Sequence, residues 1–473
     1  AGTIDEQNGD AIGNASAVSV ASGAFLVLSA AETIGSLAGA GTATLGANTL
    51  TTGGNNSSTT FSGAITGSNG MIKTGSGTLT LSNTGNESTL SGGMTISAGT
   101  VSISDDDQMA AGTLTLNGGT LSLDGPTVFD NDIDLAASST INSGGNAIAS
   151  GVISGAGDLT KTGSLSLQLT NSNTYTGDTI VNAGYLLANN ANSLGTTDGD
   201  TSVASGATLY LSGSFTLAEA LNLTGTGMLG NGAIYAPSGN STISGLVTLT
   251  GNTTLKLDGD LTFSGGITDG ASSYNLTKED AGTLTLSGTA SYDGTTTISS
   301  GGLSIGSDSH IGSGALTLAA GTTLAVTGAT TIDNAIALSS GTATVNTSAN
   351  TTLSGNITGA GGLTKTGTSA LTLSGTDSYA AATSVNAGSL LVNGALTSTS
   401  SMTVASSATL GGSGSIASNV TVNSGGTLSP GNSTGTLTID GDLAMAAGST
   451  LAVEINGTTA GTQYDQVIVN GAV

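Results

Sequence analysis

Carboxylates are the most concentrated chemistry in this chain. Asp105, Asp106 and Asp107 are consecutive, and Asp130, Asp132 and Asp134 alternate with Phe129, Asn131 and Ile133. On a strand, that alternation sets the second group on one outward face. Carboxylates and carbonyls are hard oxygen ligands suited to calcium, and adjacent turns can add more. Weak calcium binding at these six aspartates is therefore a candidate, with calcium the one candidate cofactor. The favoured reading is a solvated acidic surface, because the Gly-Gly-x-Gly-x-Asp calcium repeat does not occur. Paired carboxylates also hydrolyse glycosides. An enzyme acting on acidic polysaccharides would need a cation over its substrate, and this chain has five lysines and no arginine. Four of those lysines recur at one repeat position, as structural residues would.

Other formal motifs carry less. The only histidine, His310, lies in Ser-Asp-Ser-His-Ile-Gly, and with no cysteine a zinc or copper site has too few ligands. It reads as a solvated loop residue. Gly225-Thr226-Gly227-Met228-Leu229-Gly230 matches a dinucleotide fingerprint, but 77 glycines in 473 residues give about two such matches by chance, and no helix follows. Gly431-Asn432-Ser433-Thr434-Gly435 has the form of a nucleophile elbow, yet His310 precedes it, against the order serine, acid, histidine. A plain turn is the expectation there. No catalytic residue is assigned.

What positions these residues is a repeat. Ile-Lys-Thr-Gly-Ser-Gly-Thr-Leu-Thr-Leu-Ser begins at Ile72 and returns in versions around Lys161, Lys278 and Lys365. Fourteen residues after the lysine stand Tyr175, Tyr292 and Tyr379 in the later copies, with Glu87 at that spacing in the first. The units fall near 71–104, 159–188, 276–305 and 363–392. From each lysine onward, small residues recur every 19 to 22 positions, as at Gly163, Gly184 and Gly206, or Gly367, Gly388, Ser407 and Gly426. That period belongs to solenoids.

Composition narrows the classes. Hydrophobic residues make up 37% but aromatics only 3%, with no Trp, so the core must be aliphatic and thin. The net charge of −25 argues against nucleic acid, whose phosphates demand clustered cations, and against anionic membrane surfaces. No run approaches eighteen apolar residues, so no membrane insertion by this segment is expected. The lack of cysteine suits a bacterial secreted protein without disulfides.

Alternation in Gly77-Thr78-Leu79-Thr80-Leu81-Ser82, and again at Leu114 and Leu116 or Leu371 and Leu373, predicts short strands with leucine inward and threonine outward. Clusters such as Gly53-Gly54-Asn55-Asn56 and Asn189-Asn190 predict corners. No segment sustains a helical period. Sandwich domains would show distinct linkers and aromatic cores. The reading is all-β: one continuous right-handed parallel β-helix over 1–473, about 22 coils of 19–22 residues, on the order of 100 Å long.

Leu-Thr-Lys-Thr-Gly, Thr-Leu-Thr-Leu-Ser-Gly-Thr, Asn-Thr-Tyr-Thr-Gly-Asp-Thr and Val-Asn-Ala-Gly resemble the autotransporter-associated β-strand repeat of bacterial surface proteins. Within 425–473, Gly425-Gly426-Thr427-Leu428-Ser429-Pro430-Gly431-Asn432-Ser433 and Tyr464-Asp465-Gln466-Val467-Ile468-Val469 resemble the end of passenger regions in that family. The resemblance implies a secreted β-helix displayed outside the cell, commonly adhesive or structural. The family's C-terminal translocating barrel is not among these residues, so a fragment or released passenger is expected.

The functional expectation is a non-enzymatic structural and adhesive rod at a bacterial cell surface or secreted from it. Its partners would be other cells, matrix or surface glycans, engaged through repetitive polar faces whose weak contacts add by multivalency. The alternative is a self-assembling filament or sheath subunit, because neither end shows the polar cap solenoids need and open strand edges template pairing. A β-helix enzyme acting on polysaccharide is the third reading.

Overall fold

The computed structural model describes residues 2–473, which pack as two compact units, one running to Tyr235 and one from Ala236 onward. The chain is a parallel β-solenoid of about 22 turns with almost no helix. Threonine–leucine alternation becomes alternating burial. Thr78–Leu81, Thr283–Leu286 and Thr436–Ile439 each place their apolar residues inside and their threonines at the half-buried surface.

In the first unit one coil supplies three short strands, Ile133–Ala137, Ser139–Ser143 and Ala147–Ala149. Each pairs in parallel with the strand one coil on, Ile133 with Ile153, Ile141 with Lys161 and Ala147 with Leu167. Because the register returns every coil, inward side chains stack into files. Leu79, Val101, Leu121 and Ile141 form one such file, all buried. Burying each aliphatic contributes about 1.5–3 kcal/mol, enough to hold a core that has few rings. The second unit repeats the design, with Leu284, Leu303, Leu324 and Val345 stacked in register.

Corners bury their own amides. Asn131 Nδ2 donates to the carbonyls of Ala110 and Gly112 at 2.7 and 2.8 Å, and Asn334 Nδ2 donates to those of Gly312 and Gly314, both at 2.7 Å. Each ties a corner to the preceding coil and satisfies carbonyls that no strand partner reaches. Among the described residues, helix is limited to Asn86–Thr89 and three single turns, Asp106–Gln108, Met228–Gly230 and Asp308–His310. No helix among the described residues is long and apolar enough to cross a membrane.

Candidate functional site

The recurring lysines face inward. Lys161 interrupts an aliphatic file, between Ile141 and Val181, and Lys365 does the same between Val345 and Val385. All four are 2% exposed or less. Each ammonium meets three backbone carbonyls. Lys161 Nζ donates to Thr162, Gly163 and Ala183 at 2.7, 3.0 and 2.9 Å, and Lys365 Nζ to Thr366, Gly367 and Ala387 at 2.7, 2.9 and 3.1 Å. Lys73 donates to Thr74, Gly75 and Ala98, and Lys278 to Asp280, Gly282 and Ser300. Three donors meeting three acceptors is the stoichiometry of –NH3+, which has no lone pair to offer.

Burial pulls Lys161, Lys278 and Lys365 down to about 8 and lowers Lys73, which leaves the first three mostly charged at pH 7. The third carbonyl in each cage precedes Gly99, Gly184, Gly301 or Gly388. These glycines have φ between +64 and +71°, and a Cβ on any of them would come within 3.0 Å of the ammonium. Glycine is required twice there, for φ and for space.

The tyrosines are equally internal. Tyr175, Tyr292 and Tyr379 are fully buried, and each shares a 2.6 Å hydrogen bond with the hydroxyl four residues on, Thr179, Thr296 and Thr383. Burial pushes all three phenols up, so they stay protonated. Glu219 extends the buried polar file in the first unit. Its Oε1 accepts from Thr201 at 2.6 Å, its Oε2 has no partner, and burial pushes it up to about 8.

Glu87 does not take the tyrosine's place in the first copy. There Met71 pairs with Met94, a step of 23 residues, where Leu159 pairs with Thr179, a step of 20. The three extra residues are taken up around the four-residue Asn86–Thr89 turn, so Leu90 occupies the tyrosine position and Met94 the threonine position. Both are buried. An apolar pair thus replaces a hydrogen-bonded one, and Glu87 moves to the surface.

At the surface Glu87 joins part of the acidic set. Carboxylate oxygens of Glu87, Asp106 and Asp130 lie within 4.8 Å of one another, contributed by successive coils. Burial and then a side-chain hydrogen bond with Asp130 push Asp106 up to about 7, opposed by the Asp130 N–H at 3.3 Å and aided by like charge from Asp130 and Glu87. Glu87 is raised by its hydrogen bond with Asp107. These three carboxylates are the oxygen donors that could share a proton or a hard cation.

Asp105 and Asp132 are engaged elsewhere. Asp105 caps its turn by accepting from the Asp107 N–H at 3.1 Å, and Asp132 accepts from the Val152 N–H at 2.8 Å. Asp130, Asp132 and Asp134 do not share one strand face. Val128–Phe129 pairs with Ile148–Ala149, whereas Ile133–Ala137 belongs to the neighbouring sheet, and Asn131 anchors the corner between them.

His310 is a half-buried loop residue whose Nδ1 accepts from the Gly306 N–H at 3.3 Å. The Gly431–Gly435 segment is a turn pinned by Asp465, which accepts from the N–H groups of Gly435 and Glu454 at 2.8 and 2.7 Å.

One constellation escaped the sequence reading. Tyr185, Tyr210 and Tyr235 recur every 25 residues, outside the coil period, and all point outward. Leu187, Tyr210 and Tyr235 are in register on three successive strands, and the Tyr210 and Tyr235 rings meet edge to face at 5.2 Å and 87°. The glycine-rich loop 225–232 rises beside them. It is held by Thr208 Oγ1, which accepts from the Met228 N–H and donates to the Gly232 carbonyl, both at 2.8 Å, and Asn231 Nδ2 donates to the Tyr185 hydroxyl at 2.7 Å. The segment read formally as a dinucleotide fingerprint is therefore a wall around three tyrosines.

Four stretches, 71–103, 159–188, 276–305 and 363–392, match the passenger-associated-transport-repeat family, and each contains one lysine cage. Over 217 residues the chain is 34% identical to the adhesin BmaC autotransporter of Brucella suis biovar 1 (strain 1330), a match covering 42% of this chain and 6% of that protein. The chain thus corresponds to a small part of the curated relative it matches. No solved structure matches it. The caged lysine recurs in all four stretches that match the passenger-associated transport repeat, and these matches, with the Brucella relative, support an autotransporter passenger built from such repeats.

Proposed function

We propose that the chain is an extracellular, non-enzymatic adhesive passenger segment, displayed at or released from a bacterial surface, that engages other cells, matrix or glycans through its outward faces. The observation that carries this reading is the direction of the repeated residues. Lysine and tyrosine recur inside, where backbone carbonyls and threonine hydroxyls consume their polar groups, so the repeats supply a scaffold and leave recognition to the half-exposed outer positions. The partly matching Brucella protein is named an adhesin, which points the same way. The strong negative charge disfavours non-specific attachment to anionic surfaces and favours contact by shape and hydrogen bonding.

Beads coated with the chain provide the test, scored for attachment to cultured cells and to immobilised matrix proteins and glycans, with calcium or with chelator. Attachment by folded but not heat-unfolded protein is expected. Absence of attachment to every surface would overturn the reading, and filaments growing with protein concentration would point instead to self-assembly. Attachment lost with chelator would locate a calcium role at Glu87, Asp106 and Asp130.

A further inference from the structure

We propose that Tyr185, Tyr210 and Tyr235, with the 225–232 loop, form a binding site for an uncharged saccharide chain, an inference that rests on the adhesive reading and names its ligand class. The recess they border has a volume of about 350 Å³ and is completed by Asn146, Ser166 and Asn231.

The fold does not need this construction. Tyr210 to Tyr235 takes 25 residues where the coil at Leu159 takes 20, so the loop is extra chain. At its tip Leu229 has φ +52° and is 85% exposed. A left-handed leucine is strained, and an exposed one recovers nothing by burial. Gly227 lies so close to Gly232 that a Cβ would fall 1.9 Å from the Gly232 carbonyl oxygen, which keeps the loop folded tightly back beside the rings.

Nor do the rings recur. The residue after the cage glycine is Thr100, Tyr185, Gly302 and Ser389 in the four repeats. Only the second copy carries an aromatic ring there, and the next two coils add Tyr210 and Tyr235 beside it.

The occupant follows from the lining. No charged side chain borders the recess, so neither an anion nor a cation finds a counter-charge. The ring faces and Leu187 suit the C–H face of a pyranose, while hydroxyl and amide groups suit its O–H groups. Asn146 Oδ1 is taken by the backbone and hydroxyl of Ser166 at 3.3 and 2.9 Å, which turns its amide N–H2 outward as a donor. The Tyr185 hydroxyl accepts from Asn231 and is fixed in place, with Met228 O 3.4 Å away. An extended peptide adding a strand is disfavoured, because the backbone ladders here already pair with the coils on either side. The row of Leu187, Tyr210 and Tyr235 steps coil by coil at about 4.8 Å, so the site is elongated and fits a chain of sugars better than one ring.

The test is an array of neutral and acidic glycans and proline-rich peptides, followed by titration of the neutral hits using tyrosine fluorescence, which no tryptophan obscures. The expected result is binding to neutral glycans only, weakened at least tenfold by Tyr210→Ala and by Asn231→Ala, and weakened less by Tyr210→Phe. Circular dichroism of each variant checks that the coil persists. Binding confined to acidic glycans or peptides, no neutral hit, or undiminished affinity in folded Tyr185→Ala/Tyr210→Ala/Tyr235→Ala protein would each overturn the proposal. If the triple variant also keeps full bead attachment, the saccharide site fails while the adhesive reading stands. If the wild-type beads never attach, the adhesive reading fails first.

Discussion

Tyr175 and Tyr185 stand ten residues apart in one repeat and face opposite ways. Tyr175 is fully buried, hydrogen-bonded to Thr179, and recurs as Tyr292 and Tyr379 with the same partner four residues on. Tyr185 is half exposed, binds a loop contributed from two coils further on, and has no aromatic counterpart at the equivalent positions Thr100, Gly302 and Ser389. The difference separates two uses of repetition. Inward positions must fit the coil above and the coil below, so one solution is copied. Outward positions meet solvent, where substitutions away from special contacts shift stability by only about 0.5 kcal/mol, so they are free to diverge toward a ligand.

The sharpest way to break this contrast is at a cage. Lys161→Met keeps the apolar stem but leaves the carbonyls of Thr162, Gly163 and Ala183 without the ammonium, and a loss of about 3–5 kcal/mol in urea unfolding is expected. A loss below about 1 kcal/mol would mean that water enters and replaces the cation. Tyr175→Phe, which removes only the hydroxyl partner of Thr179, should cost about 1–2 kcal/mol.

The first repeat supplies a control for that pair, because Leu90 and Met94 show that the site accepts an apolar combination. In a double-mutant cycle, Tyr175→Leu and Thr179→Met should each destabilise alone, while the pair together recovers about 1 kcal/mol relative to their sum. Strict additivity would dissolve the equivalence.

Asp377 sharpens the comparison by pH. It accepts from the Ile357 N–H of the preceding coil at 2.7 Å, as Asn86 and Asn173 accept from Ile65 and Ile153, and burial pushes its carboxyl from 3.8 up to about 6. A raised carboxyl favours the protonated form on folding. Its contribution is therefore full below pH 3.8 and is lost as pH rises through 6. Asp377→Asn should stabilise by about 1–3 kcal/mol at pH 7, and the gain should vanish near pH 4. Glu219, raised from 4.5 to about 8, acts in the same sense over pH 4.5–8, so Glu219→Gln should flatten the remaining decline in stability. A gain independent of pH would assign the effect to packing instead.

Much of the fold was legible. Threonine–leucine alternation gave the strands, the 19–22 residue spacing gave the coils, and the identical setting of four lysines marked them as structural. The assignment of Glu87 failed because counting from Lys73 assumes equal coil lengths, and three inserted residues shift every later position, which only the Met71 to Met94 pairing reveals. The acidic trio was half legible. Asp106 and Asp130 stand out in sequence, but their neighbour Glu87 comes from another coil, and the outward face drawn through Asp132 and Asp134 is broken by the corner at Asn131. The tyrosine recess left a trace in the 25-residue spacing. That trace is hidden by a search for the commoner period, and the loop beside it imitates a different motif.

The most direct measurement is the urea midpoint of Tyr175→Ala against that of Tyr210→Ala. Both remove a phenol from the same unit, one inside the coil and one outside. The inward loss should approach about 3–5 kcal/mol and the outward one stay below about 1 kcal/mol. Equal losses would show that the outward tyrosines also hold the coil together, and would contradict the division between scaffold and recognition.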